Sequence, residues 1–427
     1  MELYVVQPGD TLYGIAQSMG VPMSRLLADN RPPDPARLVE GQALVVRFPE
    51  EVYSVREGDT LRSVAQAHGL TPRALLRRNP GLEGQSQLYP GQTLVLHYRQ
   101  EGGPPLLVNG YAYPFIDLDL YRSVLPFLTY AAPFTYGFHP DGSLVELEDE
   151  TLLALAREMG TGALMHLSTL TDEGSFSNEL AHLALTDLAV QNALVENVLR
   201  TIQEKGYQGL DVDFEFLPAS DAAAYAGLIR RFRAALAPQG RPVIVAAAPK
   251  TYATQPGLLY EGHDYRALGE AADFVFLMTY EWGYTYGPPM AVAPLPNVRA
   301  VVEYALTEIP VEKLWLGIPS YGYDWPLPFR QGESRATSLS PQYAVELAGR
   351  YGVAIQYDAR AQAPWFRYID PEGIEHEVWF EDARSIRAKL ELVPEYGLSG
   401  AGYWNLMRPF PQNWPLLDSL FTIQGLF

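Results

Sequence analysis

The chain has 427 residues, of which 48% are hydrophobic and 19% charged, so it is long enough for about two to four domains with substantial apolar cores. It contains no cysteine, which excludes disulfide bonds, thiolate metal sites and cysteine nucleophiles. The net charge is −19, and the whole acidic excess lies beyond residue 100, because residues 1–100 carry ten basic and ten acidic side chains. Such a surface repels phosphate backbones, so nucleic acid is not expected as a partner.

The amino terminus shows no export or membrane signal. Residues 1–3 lead directly into a patterned segment, without the basic and apolar stretches of a secretory leader. Apolar runs such as 242–249 are well short of the ~18–20 residues that a transmembrane helix needs. We therefore expect no secretory signal and no membrane partner.

The first hundred residues contain an internal repeat. Residues 4–12 read YVVQPGDTL, and residues 53–61 return as YSVREGDTL at an offset of 49. Each unit is predicted as strand, helix, short helix, strand, with Asp10 and Asp59 as helix N-caps and with Gly20 and Gly69 ending the first helix.

Both units closely resemble LysM modules, which we place at residues 1–49 and 50–98. The resemblance implies binding of glycans that contain N-acetylglucosamine, such as peptidoglycan or chitin. It also implies that eight residues border the sugar grooves: Gly9, Asp10, Thr11, Asn30, Gly58, Asp59, Thr60 and Asn79. The alternative for the Asp and Thr residues is a capping role without ligand contact.

A polar Gly/Pro-rich linker is predicted at 99–105, and a larger α/β domain at 106–427. Its short apolar strand candidates alternate with longer helical stretches, which favours a (β/α)8 TIM barrel. The predicted strands are 106–113, 129–134, 163–168, 209–215, 242–248, 273–280, 314–320 and 399–405. The long gap between strands 7 and 8 contains alternating segments, which predict a small α+β insertion at about 330–382.

The fourth predicted strand carries a row of acids. Asp211, Asp213 and Glu215 share one face because side chains alternate along a strand, and like charges this close oppose one another's ionisation. Glu215 would lie at the carboxyl mouth of the barrel and keep a proton, as a general acid requires. The pattern leaves two alternatives open, a divalent-metal site and a structural acid cluster, although one strand provides few oxygen ligands for a metal.

Residues 208–215, QGLDVDFE, resemble the fourth-strand signature of glycoside hydrolase family 18, with Gln208 in place of the first Asp. The resemblance implies that Glu215 is the general acid/base, that Asp213 orients the substrate acetamido group and that Asp211 tunes Asp213. It also implies a retaining, substrate-assisted mechanism that needs neither an enzyme nucleophile nor a cofactor.

Two further segments resemble the same family. Residues 278–282, MTYEW, are similar to its sixth-strand Met-x-Tyr-Asp motif, which implies that Tyr280 hydrogen-bonds the acetamido group and that Met278 and Glu281 line the site. Trp404 matches the aromatic floor under the cleaved sugar, and Tyr321 is expected to face the cleft. The alternative for Met278, Tyr280 and Trp404 is ordinary core packing. The third-strand Ser-x-Gly-Gly of the family is not clear here.

Zinc and nucleotide motifs are missing from the sequence, so neither a metal nor a nucleotide is expected. The combination of modules and barrel resembles the spore cortex-lytic family. This implies an N-acetylglucosaminidase that cleaves β-1,4 bonds of cortex peptidoglycan during germination. It further implies synthesis in the mother-cell cytoplasm, a place at the coat–cortex boundary, and a monomer. A chitinase acting on chitin oligomers and a catalytically silent glycan-binding coat protein are the alternatives.

Overall fold

The computed structural model describes residues 1–99, 102–171 and 174–426. Residues 100 and 101 of the predicted linker, and residues 172, 173 and 427 of the predicted barrel domain, lie outside the described residues. The described part contains two amino-terminal modules, a closed parallel barrel and a smaller antiparallel sheet. The predicted fold class is confirmed.

Each module is a small β-α-α-β unit with its own apolar core and one antiparallel strand pair. The elements of the first module are Glu2–Val5, Leu12–Met19, Met23–Asn30 and Ala43–Val46. Those of the second are Pro49–Ser54, Leu61–Ala67, Pro72–Arg78, the 3-10 turn Pro80–Leu82, and Thr93–Tyr98.

The N-caps differ from the prediction. Thr11 and Thr60, not the preceding aspartates, accept hydrogen bonds from backbone N–H groups of the first helical turns, both at 3.0 Å. Asp10 instead accepts from the hydroxyl of Tyr4 at 2.8 Å, and Asp59 accepts from Tyr53 at 2.7 Å. Each carboxylate also accepts a hydrogen bond from the backbone N–H three residues earlier. It therefore closes the turn before the helix and is not free to cap the helix. The N-cap prediction for Asp10 and Asp59 was wrong by one residue.

Eight parallel strands form the barrel, and pairing of the eighth strand with the first closes it. In chain order they are Pro105–Ala112, Tyr130–Pro133, Gly162–Ser168, Gly209–Asp213, Val243–Ala247, Phe274–Leu277, Leu314–Pro319 and Gly400–Trp404. All eight predicted strands are present. The fourth ends at Asp213 and the sixth at Leu277, two and three residues before their predicted ends.

Helices cover the outside of the barrel and bury the outward row of each strand. On the fourth strand Leu210 and Val212 point outward and are fully buried, and just beyond it Phe214 stacks on Tyr225 with ring centroids 5.5 Å apart. The outer helices are Leu118–Val124, Glu150–Met159, Asn178–Thr186, Leu188–Lys205, Ala222–Leu236, Leu258–Glu261, Tyr265–Ala271, Leu295–Glu308, Ala383–Leu390, Leu392–Tyr396 and Asn413–Leu420. In the parts of the chain that the structure describes, no helix combines the length and apolarity needed to cross a bilayer.

A five-stranded antiparallel sheet with one helix stands between the seventh and eighth barrel strands. Its elements are Gly322–Pro326, Thr337–Leu339, the helix Pro341–Tyr351, Gln356–Asp358, Ala363–Ile369 and Glu375–Trp379. The sheet therefore begins before residue 330, where the sequence places the insertion. Two short pairs complete the fold: a hairpin of Gly137–Phe138 with Leu144–Val145, and Thr422–Ile423 beside the first barrel strand.

The second module is docked on the barrel by arginines. The Arg73 guanidinium donates to the backbone carbonyls of Pro126 and Gly160, both at 2.8 Å, and also to the carbonyl of Leu128. Arg77 forms an ion pair of 2.8 Å with Asp418 of the last helix.

The first module packs on the barrel and on the inserted sheet. Gln412 donates to the carbonyl of Ala43 at 2.6 Å, and the Ile355 N–H donates to the carbonyl of Glu40 at 2.9 Å. Gly41 adopts φ +81, and a Cβ there would stand 1.9 Å from the Ile355 carbonyl oxygen, so this approach needs glycine. Both modules thus make specific polar contacts with the rest of the described chain.

Candidate active site

The acidic row leads from the barrel interior to its mouth. Asp211 is fully buried and Asp213 is 6% exposed, both on the fourth strand. Glu215 follows two residues beyond the strand end and is half-buried. The chain after Asp213 leaves the sheet, so Glu215 stands at the carboxyl edge where side chains of several strands converge.

A cleft of about 600 Å³ opens above this row. Six of the predicted residues line it: Asp213, Glu215, Met278, Tyr280, Glu281 and Trp404. The remaining walls are mostly aromatic or apolar: Tyr113, Phe134, Phe176, Phe216, Pro249, Leu259, Tyr260, Trp282 and Tyr284. The sixth and eighth strands thus bring their motifs to the carboxyl groups of the fourth.

Burial and mutual repulsion keep protons on the acids. Burial, together with the negative charge of Glu281, raises the pKa of Glu215 to about 7. Burial and the charges of Glu215 and Asp211 raise the pKa of Asp213 well above its usual value. Burial raises the pKa of Asp211 to about 7, and the nearby Tyr111 hydroxyl opposes this rise without making a regular hydrogen bond to the carboxyl group. Glu215 can therefore act as a proton donor near neutrality, beside a buried acid pair in which burial and mutual repulsion oppose ionisation.

Tyr280 and Trp404 border the space above the acids. Burial and the charge of Asp213 raise the pKa of Tyr280, so its hydroxyl keeps its proton and can donate to a ligand. The Trp404 ring lies 4.8 Å from the Phe134 ring and 6.2 Å from the Tyr113 ring, centroid to centroid. This aromatic wall suits the C–H face of a pyranose.

Two tyrosines of the seventh-strand region hold Glu281. The Tyr321 hydroxyl donates to Glu281 Oε1 at 2.7 Å, and the Tyr323 hydroxyl donates to the same oxygen at 3.0 Å. Tyr321 is 5% exposed and does not line the cleft, so it acts through Glu281. Glu281 has φ +67, a left-handed conformation that is costly for a residue with a side chain and that these hydrogen bonds help to maintain.

Sequence reasoning missed several residues beside the acids. Tyr111 on the first strand and His166 on the third both face Asp211, and Tyr323 shares Glu281 with Tyr321. The available signal was strand alternation, because inward residues of neighbouring barrel strands stand opposite one another. In an apolar strand, however, a single Tyr or His looks from the sequence like an ordinary buried core residue.

The predicted module residues divide into two groups, and none of them lines the barrel cleft. The Gly-Asp-Thr loops lie at the surface, where Gly9 and Gly58 adopt φ +84 and +86 and have no neighbour within 4 Å of a Cβ. Asn30 and Asn79 are instead 2% and 1% exposed.

The two asparagine amides are used within the fold. Asn79 donates to the carbonyls of Leu75 and Val95 at 2.9 and 2.8 Å and accepts from the Val95 N–H at 2.8 Å. Asn30 makes the equivalent set with Leu26 and Val45, at 2.7–2.8 Å. These amides join the second helix of each module to its last strand, so the exposed Gly-Asp-Thr loops are the more accessible of the predicted groove residues.

No group of three or more His, Asp or Glu side chains within residues 1–99, 102–171 and 174–426 is arranged to hold a metal ion.

The chain is similar to known proteins in both of its parts. Residues 164–408 match the family model described as glycosyl hydrolases family 18, and residues 4–47 and 53–96 match the LysM domain. It is 40% identical to the cortical fragment-lytic enzyme of Bacillus subtilis (strain 168), over 99% of both chains. The crystal structure of the Bacillus cereus spore cortex-lytic enzyme SleL superposes with a TM-score of 0.84 at 37% identity, covering 99% of this chain and 98% of that one. The corresponding Bacillus megaterium QM B1551 structure gives 0.84 at 38% identity, covering 100% and 99%.

Proposed function

The chain belongs to glycosyl hydrolase family 18 and carries two LysM domains, and from this premise we propose that it cleaves the β-1,4 bond after N-acetylglucosamine in spore cortex peptidoglycan. The observation that carries the proposal is the placement of Glu215. Its carboxyl group stands at the mouth of the barrel, has a pKa raised to about 7, and shares the cleft with Asp213, Tyr280 and Trp404.

In the proposed reaction the sugar is its own nucleophile. Glu215 gives its proton to the leaving glycosidic oxygen while the 2-acetamido oxygen attacks the anomeric carbon and forms an oxazolinium ion. Asp213 accepts the acetamido N–H, Tyr280 donates to the acetamido oxygen, and Asp211 tunes the charge on Asp213. Water, deprotonated by Glu215, then opens the oxazolinium, so the configuration at the anomeric carbon is retained.

The substrate is argued from the two parts together. The relatives are named for lysis of cortical fragments or of the spore cortex, and they match over nearly the whole of this chain. The LysM domains would hold the enzyme on the glycan, which raises its effective concentration there. We accordingly propose a spore-associated protein that acts at the coat–cortex boundary and works as a monomer.

The test is mass spectrometry of fragments released from purified cortex peptidoglycan, with chitin oligomers in parallel. Wild-type protein should release products with new reducing-end N-acetylglucosamine, and Glu215→Gln should lose at least about a hundredfold of that activity because it has no proton to donate. Glu196→Gln, the same change at an exposed helix position outside the cleft, should behave as wild type.

The outcomes separate the rivals. Cleavage of chitin alone would make the protein a chitinase. Binding to the sacculus without cleavage of either substrate would make it a glycan-binding coat protein. Proton NMR of the first product formed checks the mechanism, because the β-anomer is expected and the α-anomer would exclude retention.

A further inference from the structure

A buried histidine lies against the acidic row and has no part in the mechanism above. His166 is on the third barrel strand, in register with Asp211 of the fourth, and is 1% exposed. Its Nε2 lies 3.9 Å from Asp211 Oδ2 and 3.8 Å from Asp213 Oδ2. Among the described residues, it is the one Lys, Arg or His side chain within 4.0 Å of either carboxyl group.

Two hydroxyl groups lie behind the imidazole. Thr135 Oγ1 lies 2.6 Å from His166 Nδ1 and 3.0 Å from Ser168 Oγ. The Thr135 proton can go to Nδ1, to Ser168 or to the Tyr136 carbonyl at 3.2 Å, so the hydroxyls by themselves allow either tautomer. The carboxyl groups favour one of them. Nε2 faces Asp211 and Asp213, and a carboxylate attracts a ring N–H but repels a ring lone pair. When either acid is ionised, the ring proton therefore lies on Nε2 and Thr135 donates to Nδ1.

The ring is neutral in this arrangement. Burial lowers the pKa of His166 to about 3, and the Tyr111 and Phe134 rings pack against the imidazole with centroids 5.5 and 4.7 Å away. A neutral imidazole has one N–H to give, and here it faces two acids at nearly equal distance. Both carboxyl oxygens lie about 0.6–0.7 Å beyond the upper limit of a normal N–H···O bond, so a shift of either carboxyl group toward the ring would complete a hydrogen bond to it.

We propose that His166 is a positioning residue that keeps the Asp211–Asp213 pair singly ionised, by directing its Nε2–H at whichever carboxyl group carries the charge. The other groups that face the pair do not do this. Three tyrosines also face both acids: Tyr111 interacts chiefly with Asp211, the Tyr225 hydroxyl is bonded to the backbone of Val212 and Phe214, and Tyr280 borders the cleft. Glu215 and Glu281 line the cleft and add negative charge. The functional consequence rests on the proposed reaction, since a charged Asp213 is what accepts the acetamido N–H.

Two substitutions of similar size separate hydrogen bonding from packing. His166→Leu fills the space without a donor, whereas His166→Gln places an amide N–H near the position of Nε2. Losing the donor raises the pKa of the pair, so the acid limb of the kcat profile should move to higher pH by about one unit in the Leu variant. At pH 6 kcat should fall about tenfold, with KM on cortex fragments within about twofold. The Gln variant should recover most of both effects.

A direct measurement does not depend on activity. In protein labelled with 13C at the aspartate carboxyl carbons, with resonances assigned through Asp211→Asn, the pair should take up its second proton at higher pH in His166→Leu than in wild type or His166→Gln. In 15N-histidine protein, His166 should be the neutral Nε2–H tautomer from pH 5 to 8. If wild type cleaves no glycan, the proposed function fails, and these spectra still decide the role of His166.

Three results would overturn the proposal: an imidazolium or Nδ1–H tautomer at His166, coinciding carboxyl titrations in the Leu and Gln variants, or a kcat profile that the Leu substitution leaves unshifted. Should His166→Leu fail to fold, Thr135→Val keeps the ring and removes the hydroxyl that lies 2.6 Å from Nδ1 and donates to it in the Nε2–H tautomer. It should shift the acid limb in the same direction by a smaller amount, and no shift would contradict the proposal.

Discussion

Glu281 affects the reaction through its charge on a neighbouring acid. It raises the pKa of Glu215, so removing that charge should lower the pKa and make Glu215 lose its proton at lower pH. In Glu281→Gln the basic limb of the kcat/KM profile should therefore move to lower pH by about 0.5–1 unit. The Gln carbonyl can still accept from Tyr321 and Tyr323, which keeps the loop in place. The check is kcat/KM on cortex fragments between pH 4 and 9.

The same neutralisation at exposed Glu196 serves as the control and should leave the basic limb where it is in wild type. A basic limb that stays fixed in Glu281→Gln would show that burial alone sets the proton affinity of Glu215.

Asn79 is predicted from the sequence to border the glycan groove, but its buried side-chain amide makes hydrogen bonds inside the second module. Its substitution by Ala leaves the buried Val95 N–H without its partner, together with two carbonyl groups. A buried unsatisfied donor costs about 1–3 kcal/mol, so Asn79→Ala should lower the free energy of unfolding of the second module by about 2–4 kcal/mol. Urea denaturation, monitored through hydrogen exchange of the backbone amides in the strand 93–98, measures this change in the free energy of unfolding. Gln66→Ala, at an exposed position of the same module, should change it by less than about 0.5 kcal/mol.

At the scale of elements, Arg73 makes three of the polar contacts that dock the second module on the barrel, and Arg77 adds an ion pair with Asp418. The Arg73 guanidinium donates hydrogen bonds to three backbone carbonyl groups, and burial lowers the pKa of Arg73 to about 10. Arg73→Met keeps the aliphatic stem and removes all three hydrogen bonds. We expect faster amide exchange in the helix Pro72–Arg78 and at residues 125–128, with unchanged exchange in the barrel strands. Arg62→Met, at an exposed position of the same module, is the matched control. Equal exchange in both variants would show that the Arg73 hydrogen bonds are not needed to hold the module, and that Arg77 and apolar packing suffice.

Elements were predictable where the signal is local. Parallel strands are buried on both faces and read as short apolar runs, which is why all eight barrel strands were found. The predicted fourth and sixth strands extend beyond the observed ones. Polar alternation continues as far as Glu215 and Tyr280 and resembles a strand, although the chain has already left the sheet there.

What the sequence could not reveal depends on residues that are distant along the chain. Arg73 meets carbonyls 53 to 87 positions away, and His166 meets Asp211 across a strand pair, so both looked like ordinary surface and core residues. The Asn30 and Asn79 amides likewise bond to strands 15 and 16 residues later, which a motif match alone presents as groove positions.

At the scale of the whole molecule, charge is divided between two parts. The modules are near neutral and the rest of the chain carries the −19, so the modules can approach anionic peptidoglycan while the catalytic part is repelled by it. Because the modules make specific contacts with the barrel and the inserted sheet, they bring this repelling surface to the glycan with them.

Salt should relieve that repulsion. Raising ionic strength from about 10 to about 150 mM shortens the Debye length from ~30 to ~8 Å, so kcat/KM on soluble cortex fragments should rise severalfold. Amidation of the carboxyl groups on the same fragments removes their charge, and kcat/KM on the amidated substrate should change by less than about 1.5-fold over the same range. Initial rates on the two substrates at several salt concentrations give the comparison. Equal salt responses would mean that the acidic surface does not face the glycan, and a rate that falls with salt would mean that a local basic patch guides binding despite the net charge.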